Sequence, residues 1–335
     1  MKKTLIASAI AAATFSGSVL AQESNLPTVY GNIQYAAVWD NFDGGPSDFE
    51  HRDNGSTIGF MHDHMITPDL EGFFKVEMDR LGADDIETRD SFRIDEAYIG
   101  VRGDNFGQFW VGSDDSTYER ATTIISEYYE AADLSQSVSY TTGEGDLVQY
   151  MSPSFGGLSI WGAVEINGDG DSQNTTGENE FPWQLAAVYT TGMFELAAAI
   201  DSNDNSVGEN ENTYGLRGTA NLDSLSLTAE YHTRKDVQDT YGVMGVYTLG
   251  ANRFALSYER TEEDFGDELD YDTITLQALH NLSDNMYVYV EGYLGGGDNV
   301  YGYNAIDTDG DGENDAFADF TDERSVAAVG AVYYF

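Results

Sequence analysis

Three things are scarce or missing in this chain: cysteine, basic residues and long apolar runs. The 335 residues include no cysteine, which excludes a disulfide framework and a thiolate metal site. Lysine and arginine number 15 against 59 aspartates and glutamates, a net charge of −44, so no basic face is available for nucleic acid. After residue 21 no stretch approaches the roughly 18 consecutive apolar residues of a membrane helix.

Recognisable catalytic motifs are missing as well. The chain has no Gly-x-Ser-x-Gly elbow, no His-Glu-x-x-His helix motif and no phosphate-binding glycine loop. No Pro/Ser-rich linker divides it. We therefore predict a protein that is not an enzyme, needs no cofactor and forms a single domain over residues 22–335.

The first 21 residues have the pattern of a secretory leader. Lys2 and Lys3 give a positive start, residues 5–15 are apolar, and Val19-Leu20-Ala21 offers a cleavage site. This pattern predicts a signal peptide that is removed from the mature protein.

Alternation with period two dominates the rest of the chain, where we identify sixteen candidate strands. In residues 225–232 the apolar positions are Leu225, Leu227, Ala229 and Tyr231, and the polar ones are Ser226, Thr228, Glu230 and His232. The final strand, 324–335, has an apolar face that ends in an aromatic residue, Phe335.

The connections between these strands fall into two classes. Short turns follow the even-numbered strands, at 103–106, 192, 223–224, 250–252 and 283–284. Long acidic connections follow most of the odd-numbered strands, at 40–54, 114–145, 167–181 and 296–323. Short turns at one end, long loops at the other and an even strand count predict an all-β fold, a 16-stranded antiparallel transmembrane β-barrel in an outer membrane.

Four segments in order resemble the general porins of Gram-negative bacteria, the sixteen-stranded trimeric type. They are 29–32 (VYGN), 96–107 (EAYIGVRGDNFG), 150–158 (YMSPSFGGL) and 333–335 (YYF). The resemblance implies a homotrimer of water-filled barrels among outer-membrane lipids and lipopolysaccharide, passing ions and small hydrophilic solutes. It also implies that the loop after the fifth strand, 114–145, folds inward and narrows the pore.

In such porins the constriction sets loop acids against wall arginines. The corresponding loop acids here are Asp114, Asp115, Glu119, Glu127, Glu130 and Asp133. On the wall, Asp95, Ser113 and Gly143 stand where relatives carry arginine, and the remaining inward bases are Lys75, with Glu77 beside it, and Arg93. An acidic constriction attracts cations and repels anions, so we predict a cation-selective pore. Glu96 interrupts the apolar outer face of its strand, and because the early strands of this family pack between subunits, we predict a subunit contact there.

One acidic run has the spacing of a calcium loop. Asp307, Asp309, Asp311 and Asp315 could wrap a Ca²⁺ ion with oxygen ligands, but the twelfth position of an EF-hand, normally Glu, is Ala318. A solvated acidic loop is the alternative to this calcium site.

Two other functions stay open at this point. A substrate-selective channel could use an aromatic ladder, Tyr287, Tyr289 and Tyr293, to line the path of one solute class. A surface adhesin or receptor could use the long acidic loops.

Overall fold

The computed structural model describes residues 26–79, 81–84, 93–166, 181–204, 211–266, 269–306 and 316–335. The predicted leader, 1–21, lies outside these residues and stays a prediction. So does the predicted calcium site at Asp307, Asp309, Asp311 and Asp315. No helix in the described ranges is long and apolar enough to cross a membrane.

All seventeen described strands belong to one antiparallel sheet, and one short helix interrupts the order. The elements are β1 (Thr28–Phe42), β2 (Ser47–Asp53), β3 (Thr57–Thr67), β4 (Leu70–Asp79), β5 (Arg93–Gly103), β6 (Gly107–Ser113), α1 (Thr117–Thr122), β7 (Leu147–Met151), β8 (Leu158–Glu165), β9 (Trp183–Thr191), β10 (Phe194–Asp201), β11 (Thr213–Leu222), β12 (Leu225–Arg234), β13 (Gln238–Leu249), β14 (Asn252–Glu263), β15 (Asp270–Ser283), β16 (Met286–Ile306) and β17 (Ala316–Tyr334).

The seventeen strands fill sixteen positions around a closed barrel, which confirms the predicted fold. β2 and β3 share one position because both pair with the same edge of β1, β2 near its end and β3 near its start. Between them the Asp53 carboxylate accepts the N–H groups of Gly55 and Ser56 at 2.9 and 2.7 Å, a turn that Asp-Asn-Gly favours.

Closure of the barrel depends on β1 and β17. They pair from Asn32↔Tyr334 to Phe42↔Arg324, and Gly31 and Phe335 exchange two backbone hydrogen bonds of 3.2 and 3.1 Å. Because lipid offers no hydrogen-bond partners, a spanning sheet must pair both of its edges in this way.

The polarity of the barrel is inverted relative to that of a soluble protein. On β12, Leu227 and Tyr231 are exposed on the outside, whereas Glu230 and His232 are buried inside. The same division holds on β16, where Val290 is exposed and Tyr289 is buried. Period-two alternation therefore gives an apolar belt for lipid and a polar lumen, as predicted.

Turn lengths also follow the prediction at one end of the barrel. Two residues separate β3 from β4, β9 from β10, β11 from β12, β13 from β14 and β15 from β16. In these turns Gly192 and Gly250 adopt positive φ angles of 56° and 59°, which glycine tolerates without strain.

Two of the predicted long loops were partly wrong. Residues 47–53 of the predicted loop 40–54 form β2, and the predicted loop 296–323 is largely taken up by extensions of β16 and β17. Glycines at 295–297 and the surrounding acids make this part of the sequence resemble a loop, although the backbone continues the ladder from Tyr301↔Thr321 to Ile306↔Ala316 beyond an irregularity.

Substitution of Leu216 tests the outward face of the barrel. Leu216 is exposed within β11, and Leu222 is exposed at its turn end. An arginine costs about 2–4 kcal/mol at the bilayer midplane and about 0–1 kcal/mol near the interface. We expect L216R to lower the free energy of unfolding in lipid vesicles by the larger amount and L222R by the smaller, measured by urea titration. Equal losses would contradict the placement of Leu216 nearer the bilayer midplane and of Leu222 nearer the interface.

Candidate functional site: the internal loop and its acidic surroundings

The segment 114–146, between β6 and β7, lies inside the barrel, which confirms the predicted inward loop. Its helix α1 begins after Ser116, whose side chain accepts the N–H of Glu119 at 3.1 Å as an N-cap. The helix packs against β8, β9, β10 and β11, and its Tyr118 and Ala121 side chains are fully buried. The loop therefore covers one side of the inner wall.

Three wall glutamates hold the loop through its backbone. The Glu230 carboxylate on β12 accepts the N–H groups of Ile124 and Ile125 at 2.8 and 3.2 Å. On β16, Glu291 accepts the N–H groups of residues 130 and 131, both at 2.8 Å, and on β8, Glu165 accepts that of residue 143 at 2.9 Å. All three glutamates are buried, so these charge-assisted bonds form away from bulk water.

The aromatic ladder on β16 also holds the loop. Tyr287 donates to the Glu130 carboxylate at 2.7 Å, and Tyr293 accepts the N–H of Ala132 at 2.8 Å. Tyr289 accepts from Asn54 at 2.9 Å, and Asn54 also donates to the Glu130 carbonyl at 3.0 Å. The three rings are buried in a cluster that includes loop residues. The idea that this ladder lines a solute path was therefore wrong, because the loop covers it.

On the wall beside the start of the loop, β4 and β5 bring three carboxylates together. Oxygens of Glu77, Asp95 and Glu96 lie within 4.8 Å of one another. The register shifts between Glu77 and Met78, which leaves Asp95 as an extra residue on β5. Glu96 is buried inside and contacts the Lys75 ammonium at 2.5 Å, so its predicted place on the outer face was wrong.

A second carboxylate triad lies at the two ends of the loop. Oxygens of Asp115, Glu119 and Glu144 lie within 4.8 Å of one another. Burial, followed by the charge of Glu119, raises the pKa of the Asp115 carboxyl well above its usual value. Burial and the charges of Glu119 and Asp95 raise the pKa of Glu144 to about 7.

The two triads are close enough for their charges to interact. The charge of Glu96 contributes to the raised pKa of Asp115, and the charge of Asp95 contributes to that of Glu144. We name the six residues the acidic corridor: Glu77, Asp95 and Glu96 on the wall, and Asp115, Glu119 and Glu144 on the loop.

Within the residues that the structure describes, each base near the acidic corridor contacts an acid. Besides Lys75, Arg120 lies 3.2 Å from Asp114 and stacks on the rings of Trp110 and Trp161. Arg93 contacts Asp79 at 3.1 Å. Each base offsets one acid, and the corridor keeps an excess of carboxylates.

The ten residues predicted for the constriction fall into separate groups. Glu77 and Asp95 lie in the wall triad, with Lys75 3.7 Å from Glu77 and with Arg93 at the start of β5. Asp115 and Glu119 lie in the loop triad, and Asp114 contacts Arg120 at 3.2 Å. Asp133 instead pairs with Arg52 of β2 at 2.7 Å, and Glu130 lies against β16, so neither belongs to the corridor. Glu127 is half-buried further along the loop.

Two corridor residues were missed from the sequence. Glu144 directly follows Gly143, which stands where relatives carry arginine. The neighbour of such a position could have been named as a candidate site residue. The inward position of Glu96 results from the bulge in β5. The alternation of apolar and polar residues gave no sign of that bulge.

Comparison with known proteins gives consistent matches over most of the chain. A family model described as Gram-negative porin matches residues 7–300. A monosaccharide porin from a Halomonas species and the major outer membrane protein of Halomonas elongata are each 30% identical over 344 residues, covering 96% of this chain and 88% of theirs.

Solved structures agree in fold at lower identity. The anion-selective porin from Comamonas acidovorans has a TM-score of 0.71 at 16% identity, covering 94% of this chain and 100% of its own. OmpF of Salmonella typhi in complex with daunomycin has a TM-score of 0.69 at 18% identity, covering 92% and 97%. OmpT of Vibrio cholerae in its trimer form has a TM-score of 0.61 at 15% identity, covering 93% and 100%.

Glu291→Gln tests the attachment of the loop. The amide keeps one acceptor oxygen but turns an NH₂ group toward a loop N–H, and an unsatisfied buried group costs about 1–3 kcal/mol. We expect faster amide hydrogen exchange in peptides from residues 124–136, with barrel strands unchanged. Glu211→Gln, at a residue paired only near the surface with Lys235, is the control. Unchanged loop exchange in E291Q would refute the assigned role.

The pKa of Glu144 makes the corridor charge depend on pH near neutrality. An acid whose pKa is raised to about 7 is mostly protonated at pH 6 and mostly ionised at pH 8. The corridor therefore becomes more negative as pH rises, and the preference for K⁺ over Cl⁻ should increase over this range. Reversal potentials in a KCl gradient measure this effect, and E144Q should flatten the change. A preference that falls between pH 6 and pH 8 would contradict it.

Proposed function

This chain belongs to the Gram-negative porin family, and we propose that it forms a cation-selective general-diffusion channel. Family membership makes it an outer-membrane porin channel rather than an enzyme. The selectivity, the range of solutes and the assembly are our proposals.

The acidic corridor is the observation that supports cation selectivity. Six carboxylates lie together where the internal loop enters the barrel, and the nearby bases among the described residues already contact acids. Two unit charges about 4 Å apart interact by about 4 kcal/mol at an effective dielectric constant near 20. Exposed charges are screened over about 8 Å at physiological salt, but buried ones much less. A corridor of this kind raises the local cation concentration and repels anions.

The similar anion-selective porin does not argue against this proposal. At 16% identity it shares the fold with this chain, whereas selectivity depends on individual side chains in the constriction. Here Asp95 and Glu144 add carboxylates to the corridor, and Lys75 is held by Glu96.

Selectivity for monosaccharides is a second candidate function. It is supported by the 30% identical Halomonas relative, a monosaccharide porin. The β16 tyrosines no longer support it, because the loop covers them. Liposome swelling distinguishes the two candidates: a saturable rate with glucose favours a sugar-selective channel, and rates that fall smoothly with solute size favour general diffusion.

We further propose a homotrimer in contact with outer-membrane lipids and lipopolysaccharide, with no cofactor required. The similarity to OmpT, which has a trimer form, supports this assembly. Removal of residues 1–21 and a single barrel domain over 22–335 belong to the same proposal.

Reversal potentials with neutralised loop acids test cation selectivity. In a KCl gradient we expect a potential that favours K⁺, because the carboxylates of the corridor attract cations. The double variant Asp115→Asn and Glu119→Gln should lower the K⁺/Cl⁻ permeability ratio roughly threefold. Glu262→Gln, on the outer side of the barrel rim, is the control. A wild-type potential that favours Cl⁻ would overturn the proposal.

A further inference from the structure

A groove on the outside of the barrel crosses the apolar belt. It extends over β9, β10, β11 and β12 and has a volume of about 540 Å³. Its two walls are exposed apolar or aromatic side chains: Leu158, Tyr189 and Leu196 on the side of the short turns, and Leu216 and Tyr231 on the opposite side. Pockets that bind small molecules have volumes of about 300–1,000 Å³, so the groove is large enough for a ligand.

Four small residues form the floor of the groove. Ala187 pairs with Ala198, and Gly218 pairs with Ala229. Each lies four residues from the short-turn end of its strand. A strand tilted by about 45° rises about 9 Å over this distance, so the floor lies in the nearer half of a belt about 25 Å tall. Because the short turns of bacterial barrels face the periplasm, the groove lies in the periplasmic leaflet.

Large and small residues exchange places between β10 and β11. Leu196 pairs with Gly218, and Leu216 pairs with Ala198. Residues that pair directly have neighbouring side chains on one face of the sheet, so the two leucines stand on opposite sides of a continuous floor. Among the described residues, a Cβ atom on Gly218 would meet only the Cδ2 atom of Leu196 within 4 Å, at 3.5 Å. The space above the floor is therefore open.

The charged residues that border the groove face away from it. Arg217 and Glu230 are buried and point into the lumen, where Arg217 contacts Glu195 at 2.6 Å. Two residues beyond the lining, Leu185 and Leu227 are exposed and continue the belt. The periplasmic leaflet of an outer membrane consists of phospholipids, so the molecules beside this uncharged groove are their acyl chains.

We propose that the groove binds one acyl chain of a phospholipid of the periplasmic leaflet. The chain packs on the floor between Leu196 and Leu216. Bulk hydrocarbon is as apolar as the groove, so the preference comes from packing. A chain in the groove contacts the floor and both walls, whereas a chain on a flat wall contacts protein atoms on one side only. The bound lipid therefore exchanges more slowly than the rest of the lipid around the barrel.

Photolabelling with a phosphatidylethanolamine that carries a diazirine in one acyl chain tests the site. The channel is reconstituted in phosphatidylethanolamine vesicles that contain this probe, and labelled peptides are quantified by mass spectrometry after irradiation and digestion. We expect the label to be concentrated in residues 194–222, which contain both leucines. Gly218→Leu fills the floor and should lower the label there to about a tenth of the wild-type value. A label spread evenly over all outward faces would overturn the proposal.

Gly245→Leu is the matched control. Gly245 also faces outward, on β13, and among the described residues a Cβ atom there would meet only the Cδ2 atom of Leu227, at 3.4 Å. It does not line the groove. G245L should leave the label unchanged, and an equal loss in both variants would contradict the proposal. If G218L yields no channels, Ala198→Leu fills the same floor from β10 and should give the same loss.

Two further measurements identify the occupant. Unlabelled phosphatidylethanolamine should compete with the probe in detergent micelles, and competition by lipopolysaccharide alone would overturn the phospholipid assignment. Exclusion of the probe from residues 194–222 of the wild type would indicate that a second copy of this chain covers the groove, and would overturn it as well. The reversal potential of G218L in KCl should equal that of the wild type, and a changed potential would contradict the outward position of Gly218.

Discussion

The absence of hydrogen-bond partners in lipid is the constraint on which the rest of this structure depends. Each unpaired backbone group in the bilayer costs several kcal/mol, so the sheet must close on itself through β1 and β17. Closure with period-two strands then sends every second side chain inward. The polar half of the sequence, rich in acids, is concentrated in one lumen, while residues such as Leu256 and Val290 are exposed on the outer face. The crowding of carboxylates inside is a consequence of closure.

The inward acids fall into two classes according to their partners. Glu230 and Glu291 accept backbone N–H groups and attach the loop to the wall. The backbone N–H groups carry no net charge. Their hydrogen bonds to the glutamates therefore satisfy buried donors and leave the negative charge of the lumen unchanged. The corridor acids instead lie against one another. Acidic residues thus have two roles: some hold the internal loop in place, and others give the corridor its negative charge.

Local periodicity explains which parts of this structure were predictable. The faces of residues 225–232 follow from alternation alone, because the strand period is a local property. A single extra residue breaks that logic, and the bulge near Asp95 turned Glu96 inward against the prediction. The partners of Tyr287 and Asp133 lie on the loop and on β2, and no short-range pattern encodes contacts over such separations. The site residues could be nominated from the sequence, but their grouping could not.

The pairing of β1 with β17 has a kinetic consequence. Most other neighbouring strands are joined by short connections, and these hairpins can form with little loss of chain entropy. The contact between Asn32 and Tyr334 joins residues that are far apart in the chain. The loss of chain entropy needed to close so long a loop is therefore concentrated in one late step of folding. Before that event the sheet has two open edges prone to wrong pairing; after it, unfolding must break the seam as a unit. We therefore expect the barrel to form slowly and, once closed, to unfold slowly, both because of this one seam.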